Sequence, residues 1–142
     1  MKKFLIAAGV GALIASSAAI VQPLADSALL SSVPSGSLTV TDWYKQTVYD
    51  PNNNSIGEVM DVLVSRDGTI NALIVGVGGF LGAGEKDVAV AFNAVKQTVQ
   101  NNKMTLTMNT TKDALKAAPG LKYDRNSTSW VPDTAQNTTT TR

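Results

Sequence analysis

The sequence has no cysteine and no histidine among its 142 residues. Without cysteine, the chain has neither a disulfide nor a thiol nucleophile. A zinc site of Cys and His ligands, a haem held by histidine and a Ser-His-Asp triad are also excluded. Carboxylate oxygens could still hold a hard cation, but no EF-hand spacing is present. We predict no catalytic residue, no cofactor and no metal site.

An excess of charge of either sign is also missing. Lys and Arg number 12 against 11 Asp and Glu, which gives a formal net charge of +1. A protein that binds nucleic acid over a broad face carries a clear basic excess. We therefore predict no nucleic-acid partner.

The N-terminus has the pattern of an export signal. Lys2 and Lys3 precede an uncharged run over residues 4–15, and small residues follow at 16–19. This order is typical of a cleaved secretory signal, so residues 1–27 are predicted to be a signal peptide and the protein to be periplasmic. The alternative is an uncleaved anchor in the inner membrane formed by residues 4–21, which are barely long enough to span a bilayer.

Removal of residues 1–27 makes the chain formally neutral. This segment holds two lysines and one aspartate, so ten charges of each sign remain. A neutral surface disfavours polyanionic partners. We predict instead a protein partner or self-association, with membrane contact only if the N-terminal segment stays uncleaved.

Composition divides the rest of the chain into three parts. Residues 28–39 are rich in serine, with Pro34 and Gly36, and are predicted to be a flexible linker. Residues 125–142 hold six threonines and one apolar cluster at 130–132, and are predicted to be a disordered tail. The folded domain then covers residues 40–124.

Strand signals dominate this domain. Asp67-Gly68 between two apolar runs predicts a hairpin, and Asn101-Asn102 predicts a second one. A capping-box spacing from Thr110 to Asp113 predicts a short helix that ends before Pro119. The fold class is thus mainly β, a small barrel with one short C-terminal helix and about six strands, at 47–49, 57–65, 70–77, 86–92, 96–99 and 103–108.

The central hairpin carries apolar side chains on both faces. Leu73 and Val75 point to one side and Ile74 to the other, so both faces require a cover. The short helix is one candidate and a partner subunit is the other, which makes Leu73 and Val75 candidate contact residues. Asp61 is predicted to lie on the face of Val59 and to be hydrogen-bonded in a structural role.

The glycine-rich stretch at residues 76–87 is the sharpest local motif. Leu81 stands where a dinucleotide fingerprint requires its third glycine, and Glu85 stands where a P-loop requires lysine. The glycines are therefore interpreted as structural, Gly78 and Gly79 among them. Phe80 and Leu81 at the tip are candidate contact residues.

The remaining candidates are two aromatic side chains and three residues of structural role. Trp43 and Tyr44 belong to the aromatic cluster of the domain and are candidate contact residues. Gly57, Asp67 and Gly68 are predicted to serve the strands and their turn.

Several stretches between residues 41 and 124 together resemble one known family. They are 43–46 (WYKQ), 48–51 (VYDP), 56–59 (IGEV) with Asp61, Asp67-Gly68, 72–82 (ALIVGVGGFLG), 84–90 (GEKDVAV), 92–95 (FNAV) and 111–119 (TKDALKAAP). In order and spacing they resemble the PRC-barrel domain. The chain is most similar to the small exported PRC-barrel proteins of alphaproteobacteria, many of which carry Pro where this chain has Ala91.

The resemblance implies a six-stranded barrel that acts by protein contact. The family includes the cytoplasmic domain of the photosynthetic reaction-centre H subunit and the C-terminal domain of a ribosome-maturation factor, and it carries no catalytic residue over to this chain. Fold transfers more safely than partner. The leading hypothesis is a non-enzymatic, exported interaction module. The alternative is a small-ligand-binding protein or enzyme that uses the loop at 76–87, with a pocket lined by Asp61, Glu85 or Asp87.

Overall fold

The computed structural model of the chain describes residue 11, residues 28–78 and residues 84–137. The chain divides into a unit of residues 1–37 and a unit of residues 38–142. The predicted signal peptide lies outside the described residues except for Gly11. Along the described ranges, no helix combines the length and the hydropathy needed to cross a bilayer.

Residues 28–37, the described end of the first unit, are exposed. The side chains of Leu29, Leu30 and Val33 are 78%, 74% and 80% accessible to solvent. A turn follows, in which the Ser37 N–H donates to the Pro34 carbonyl over 3.3 Å. These apolar side chains are therefore not buried within their own unit.

The second unit is mainly β, as predicted. Its elements in chain order are α1 (Val40–Trp43), β1 (Thr47–Tyr49), β2 (Ser55–Val64), β3 (Ile70–Val77), β4 (Lys86–Ala91), a 3-10 turn (Phe92–Ala94), β5 (Val95–Gln100), β6 (Lys103–Met108), α2 (Lys112–Ala117), β7 (Leu121–Asp124), β8 (Ser129–Pro132) and α3 (Thr134–Asn137).

The eight strands of the described residues form one sheet in the order β5-β6-β1-β2-β3-β4-β7-β8. All neighbours are antiparallel except β1 and β6, which run parallel. The prediction of a closed barrel is wrong, because β4 pairs with β7 and the outer edge of β5 pairs with no described strand. The six predicted strands correspond to β1 to β6, and β7 and β8 are two further strands.

Both predicted hairpins are confirmed, and their turns explain them. Between β2 and β3, the Ser65 N–H donates to the Thr69 carbonyl over 2.8 Å, and Gly68 adopts φ +88°. Between β5 and β6, Asn101 and Asn102 adopt φ of 51° and 58°. Asparagine tolerates this left-handed region better than most residues, and two such residues match the twist of a tight hairpin.

One face of the sheet, together with α1 and α2, encloses the main core. Strands β2 to β4 contribute Ile56, Val59, Leu73, Val75, Val77, Val88 and Val90, and the rest of the cluster is Trp43, Val48, Val95, Leu106 and Leu115. α2 lies against this face, and its Leu115 is 5% exposed.

The predicted helix is confirmed, since it begins at Lys112 as predicted and ends at Ala117, one residue before the predicted end. The Thr111 hydroxyl oxygen accepts from the Ala114 N–H over 3.1 Å, so Thr111 rather than Thr110 is the N-cap. Helical residues end at Ala117, because the residue before Pro119 is disfavoured in the helical region.

A bulge in β2 changes which side chains share a face. Val59 pairs with Val75 and Asp61 with Ile74, which leaves Met60 as the extra residue. An extra residue inverts the alternation beyond it. Asp61 therefore lies on the opposite face from Val59, contrary to the sequence-based expectation.

The hairpin of β7 and β8 covers that opposite face. The Trp130 Nε1–H donates to Asp61 Oδ2 over 2.8 Å, and Asp61 is the cross-strand neighbour of the fully buried Ile74. The short helix predicted as a cover does lie over the face of Leu73 and Val75, but the sequence did not predict this hairpin, since residues 125–142 were expected to be a disordered tail. The structure differs, because residues 129–132 extend the sheet and bring an indole over its second face.

Candidate contact surface

The N-terminal end of the second unit carries an apolar surface around α1. Leu38 and Val40 are 50% and 51% exposed, and Tyr44 is 51% exposed. The Tyr44 N–H donates to the Val40 carbonyl over 3.1 Å, so these two side chains lie one helical turn apart on one side of α1. We call Leu38, Val40 and Tyr44 the α1 patch.

The patch rests on an aromatic pair of which Trp43 is buried and Phe92 is partly buried. Trp43 is 4% exposed, and its ring centroid lies 5.0 Å from that of Phe92. Leu38, Val40, Trp43 and Phe92 line an apolar seam together with Val62 and Ile70. The free space in this seam is about 10 Å³, about the volume that one water requires. The α1 patch is thus a filled surface rather than a pocket for a small molecule.

Backbone hydrogen bonds hold the patch against the sheet. The Lys45 N–H donates to the Val59 carbonyl over 2.8 Å, and the Val59 N–H donates to the Gln46 carbonyl over 2.9 Å. Lys45 also forms an ion pair with Glu58, with 3.3 Å between Nζ and Oε1, and its Nζ lies 5.4 Å from the Tyr44 ring centroid. The segment after α1 is therefore fixed in position while its apolar side chains remain accessible.

The other predicted contact residues fall into two groups. Leu73 and Val75 are 0% and 1% exposed, because β2, β4 and α2 cover them, so they are core residues of the folded chain. Phe80 and Leu81 lie outside the described residues, as does Gly79. Of the predicted contact residues, only Tyr44 is both described and exposed, and Trp43 supports the patch from below.

Gly57 and Gly76 have little room for a side chain, and Gly78 has a backbone conformation that favours glycine. A Cβ atom at Gly57 would lie 2.5 Å from Val75 Cγ1 and 2.9 Å from the Gly76 carbonyl oxygen. Gly78 adopts φ +78°, a conformation that favours glycine. At Gly76 a Cβ atom would collide with the carboxylate end of Glu85.

A depression of about 210 Å³ lies beside these glycines, lined in part by Glu58, Gly76, Glu85 and Lys112. Ligand pockets usually have about 300–1,000 Å³ and mostly apolar walls. Asp61 does not line this depression, because it faces Trp130 instead. In the described residues, no three Asp or Glu side chains are placed to hold a metal ion.

Both carboxylate oxygens of Asp61 accept hydrogen bonds. Its Oδ1 accepts from the Val62 N–H over 2.8 Å, and its Oδ2 accepts from Trp130. The Tyr123 ring packs edge-on to Trp130, with 5.8 Å between centroids. Oδ2 therefore holds the β7–β8 hairpin on the sheet, while Oδ1 is bound to the backbone of β2.

Asp67 holds the β2–β3 turn. Its carboxylate accepts from the Ser65 hydroxyl and from the Thr69 N–H. The Ser65 hydroxyl and the Thr69 N–H hold the pKa of Asp67 below its usual value. Asp50 and Asp124 behave in the same way in their own turns, where donors of Asn54 and Asn126, respectively, are the main causes of a lowered pKa. These carboxylates stabilise turns and are not suited to proton transfer near neutral pH.

Asp87 is the carboxylate with an unfavourable environment. Its Oδ1 is buried and has no hydrogen-bond partner among the described residues. Burial raises its pKa above 3.8, and the nearby Glu85 charge adds to this, while Lys45 acts in the opposite direction. The ionised form of Asp87 thus lowers the stability of the folded state.

Asp87→Asn is expected to raise the thermal unfolding midpoint at pH 7. A carboxyl group with a raised pKa in the folded state lowers stability above that pKa, and the loss disappears as the pH falls through it. The gain from Asp87→Asn should therefore shrink as the pH approaches 3.8. Calorimetry between pH 3 and pH 7 measures this, with Asp61→Asn as a contrast that is expected to lower the midpoint at pH 7. A gain of equal size at all pH values would contradict the assignment.

Two features of the surface were not predicted from the sequence. Trp130 packs on one face of the sheet, and the only indication of this in the sequence is the isolated apolar cluster at 130–132 in a polar tail. Val40 and Leu38 lie at the border of the predicted linker, and no pattern marked them as exposed. Both faces of the central hairpin were predicted to be covered; α2 covers one of them as expected, whereas the β7–β8 hairpin on the other face was not predicted.

Comparison with known proteins agrees with this architecture. Residues 36–115 match the model of the PRC-barrel domain. Since the match covers more than half of the 142 residues, the chain belongs to the PRC-barrel domain family. The matched residues contain α1 and β1 to β6, whereas β7 and β8 follow the match. A search of curated proteins found no match.

Proposed function

We propose that this chain is an exported, non-enzymatic PRC-barrel module that binds an apolar surface of another protein through its α1 patch. It is of the small exported kind that the sequence resembles, and it works in the periplasm after its N-terminal segment is removed. The observation that carries the proposal is the exposure of Leu38, Val40 and Tyr44 together on a rigid support.

Energetics favour a protein as the partner. Full burial of a Val or Leu side chain contributes about 1.5–3 kcal/mol. Burial of these exposed side chains by a partner would therefore add to the free energy of binding. Tyrosine is enriched at protein interfaces because a large, stiff ring contributes contact area at low entropic cost. The seam beneath the patch is filled, so an extended apolar surface fits it better than a small ligand.

The test is site-specific photo-crosslinking in intact cells of the native host. A photoreactive residue at Val40 is expected to give one discrete adduct, and the same residue at the exposed Lys122 of β7 serves as the matched control. Val40→Asp should then weaken binding to the purified adduct partner at least tenfold, while circular dichroism shows an unchanged fold. The mass of the recovered chain reports on removal of the N-terminal segment in the same cells.

Two results would overturn the contact part of the proposal, and a third would overturn its export part. One is an adduct that forms equally at Lys122, and another is a partner whose affinity is the same for wild type and Val40→Asp. The third is a full-length chain confined to the cytoplasm, which would remove the export part and leave the contact part standing.

A further inference from the structure

The two edges of the sheet differ in how well they are protected. The β8 edge has four residues and ends at Pro132, which has no N–H to offer a further strand. The β5 edge has six residues that pair with β6 in an unbroken register from Val95 to Gln100. It contains no proline and no bulge, which are common devices against strand addition.

The hairpin geometry determines which backbone groups of β5 face outward. The turn has two residues, so Gln100 and Lys103 form a hydrogen-bonded pair, and such pairs alternate along the ladder. The N–H and C=O groups of Val95, Gln97 and Val99 therefore point away from β6. The Val95 N–H donates to the Phe92 carbonyl, and no hydrogen bond to a described residue occupies the outward groups of Gln97 and Val99.

We propose that β5 pairs antiparallel with β5 of a second copy of this chain, around a two-fold axis at Gln97. In this register, Gln97 exchanges two hydrogen bonds with its own counterpart, and Val99 donates to the carbonyl of Val95 in the other copy. The two sheets thereby become one continuous sheet. The paired residues of β5 include none of the α1 patch, and the proposal does not depend on that patch.

Side chains favour this self-pairing. Val99 is 62% exposed, whereas Val95 is 7% exposed at the rim of the core. The register places each Val99 beside a Val95, so two exposed apolar side chains are covered by the rim of the other core. Cross-strand pairs of β-branched side chains stabilise antiparallel sheets.

The charges tolerate self-pairing and make it distinguishable from other occupants. Lys96 is the one charged residue of β5, and the register places it opposite the neutral Thr98 of the other copy. The two Lys96 side chains start about 8 Å apart, close to the screening length at physiological salt. Association should therefore strengthen with added salt, whereas an acidic foreign strand would bind more weakly.

The absence of cysteine in the wild-type chain permits a direct test of the register. Gln97→Cys introduces the only thiol, and its counterpart lies about 5.5 Å away between Cα atoms, within disulfide range. Thr98→Cys is the control, because its counterpart is about 8 Å away. Under mild oxidation of the chain as the host produces it, Gln97→Cys is expected to form a covalent dimer at least tenfold faster than Thr98→Cys.

Light scattering over a range of concentrations tests the association itself. Val99→Lys, which adds a charge inside the paired segment, should weaken the dimer at least tenfold. Gln100→Lys adds the same charge outside that segment and should leave the dimer unchanged. Both residues are exposed, so neither change disturbs the core.

A chain that is monomeric at every concentration overturns this proposal, as does a dimer that survives Val99→Lys or crosslinks equally through Thr98→Cys. A dimer that dissociates with Val40→Asp but not with Val99→Lys would assign self-association to the α1 patch instead. Loss of the β5 dimer leaves the crosslink at Val40 as a separate readout, so the two proposals can fail independently.

Discussion

A chain that ends at Asp124 is expected to lose at least about 3 kcal/mol of unfolding free energy. The truncation removes β8 and with it the indole that reaches Asp61. A hydrogen bond to a charged group contributes about 1.5–3 kcal/mol, and burial of an isoleucine such as Ile74 contributes about 1.5–3 kcal/mol. Domains of this size have only about 5–15 kcal/mol in total.

Urea unfolding measures this loss. A chain that ends at Asn137 is the matched control, because it retains the β7–β8 hairpin and every hydrogen bond described for it. The shorter truncation should also bind a hydrophobic dye, since the face around Ile74 becomes exposed to solvent. Equal unfolding midpoints for the two chains would show that the hairpin does not support the sheet.

Gly57→Ala is expected to lower stability by about 3 kcal/mol, the upper end of the usual range for an overfilled core. The new methyl group would lie 2.5 Å from Val75 Cγ1 and 2.9 Å from the Gly76 carbonyl oxygen. Both neighbours belong to β3, whose backbone is held by hydrogen bonds to β2 and β4. Relief therefore requires a shift of β3 rather than a rotation of one side chain.

Gly76→Ala provides the control for Gly57→Ala in the same pair of strands. Its methyl group would collide with the end of the Glu85 side chain, which is flexible and can move aside. The expected loss of unfolding free energy is below about 1 kcal/mol, because the Glu85 side chain can move away from the new methyl group. Thermal unfolding of the two variants compares them directly, and a larger loss for Gly76→Ala would contradict the geometry.

Local signals predicted the elements whose cause is local. Asp67-Gly68 and Asn101-Asn102 specify their hairpins through backbone conformation, and Thr111 caps its helix through a hydrogen bond three residues away. The two-sided apolar pattern of β3 also predicted correctly that both faces are covered. In each case the physical cause lies within a few residues of the signal.

What depended on distant contacts could not be predicted. The bulge at Met60 reverses the faces of β2, and periodicity alone does not show where an extra residue stands. β8 was not predicted because it lies in a polar tail, and the hydrogen bond from Trp130 to Asp61 stabilises this strand rather than its own composition. The open edge of β5 likewise follows from which strands meet in space, since the alternation of its side chains is the same in a closed barrel.

The contact between Trp130 and Asp61 joins residues that are 69 positions apart in the chain. Closing so long a segment has an entropic cost that must be met before the contact contributes anything. On a ribosome, β2 and β3 emerge well before β8, so Ile74 stays uncovered until β8 has been made. The second face of the sheet is thus completed only after the strands that form it have been synthesised.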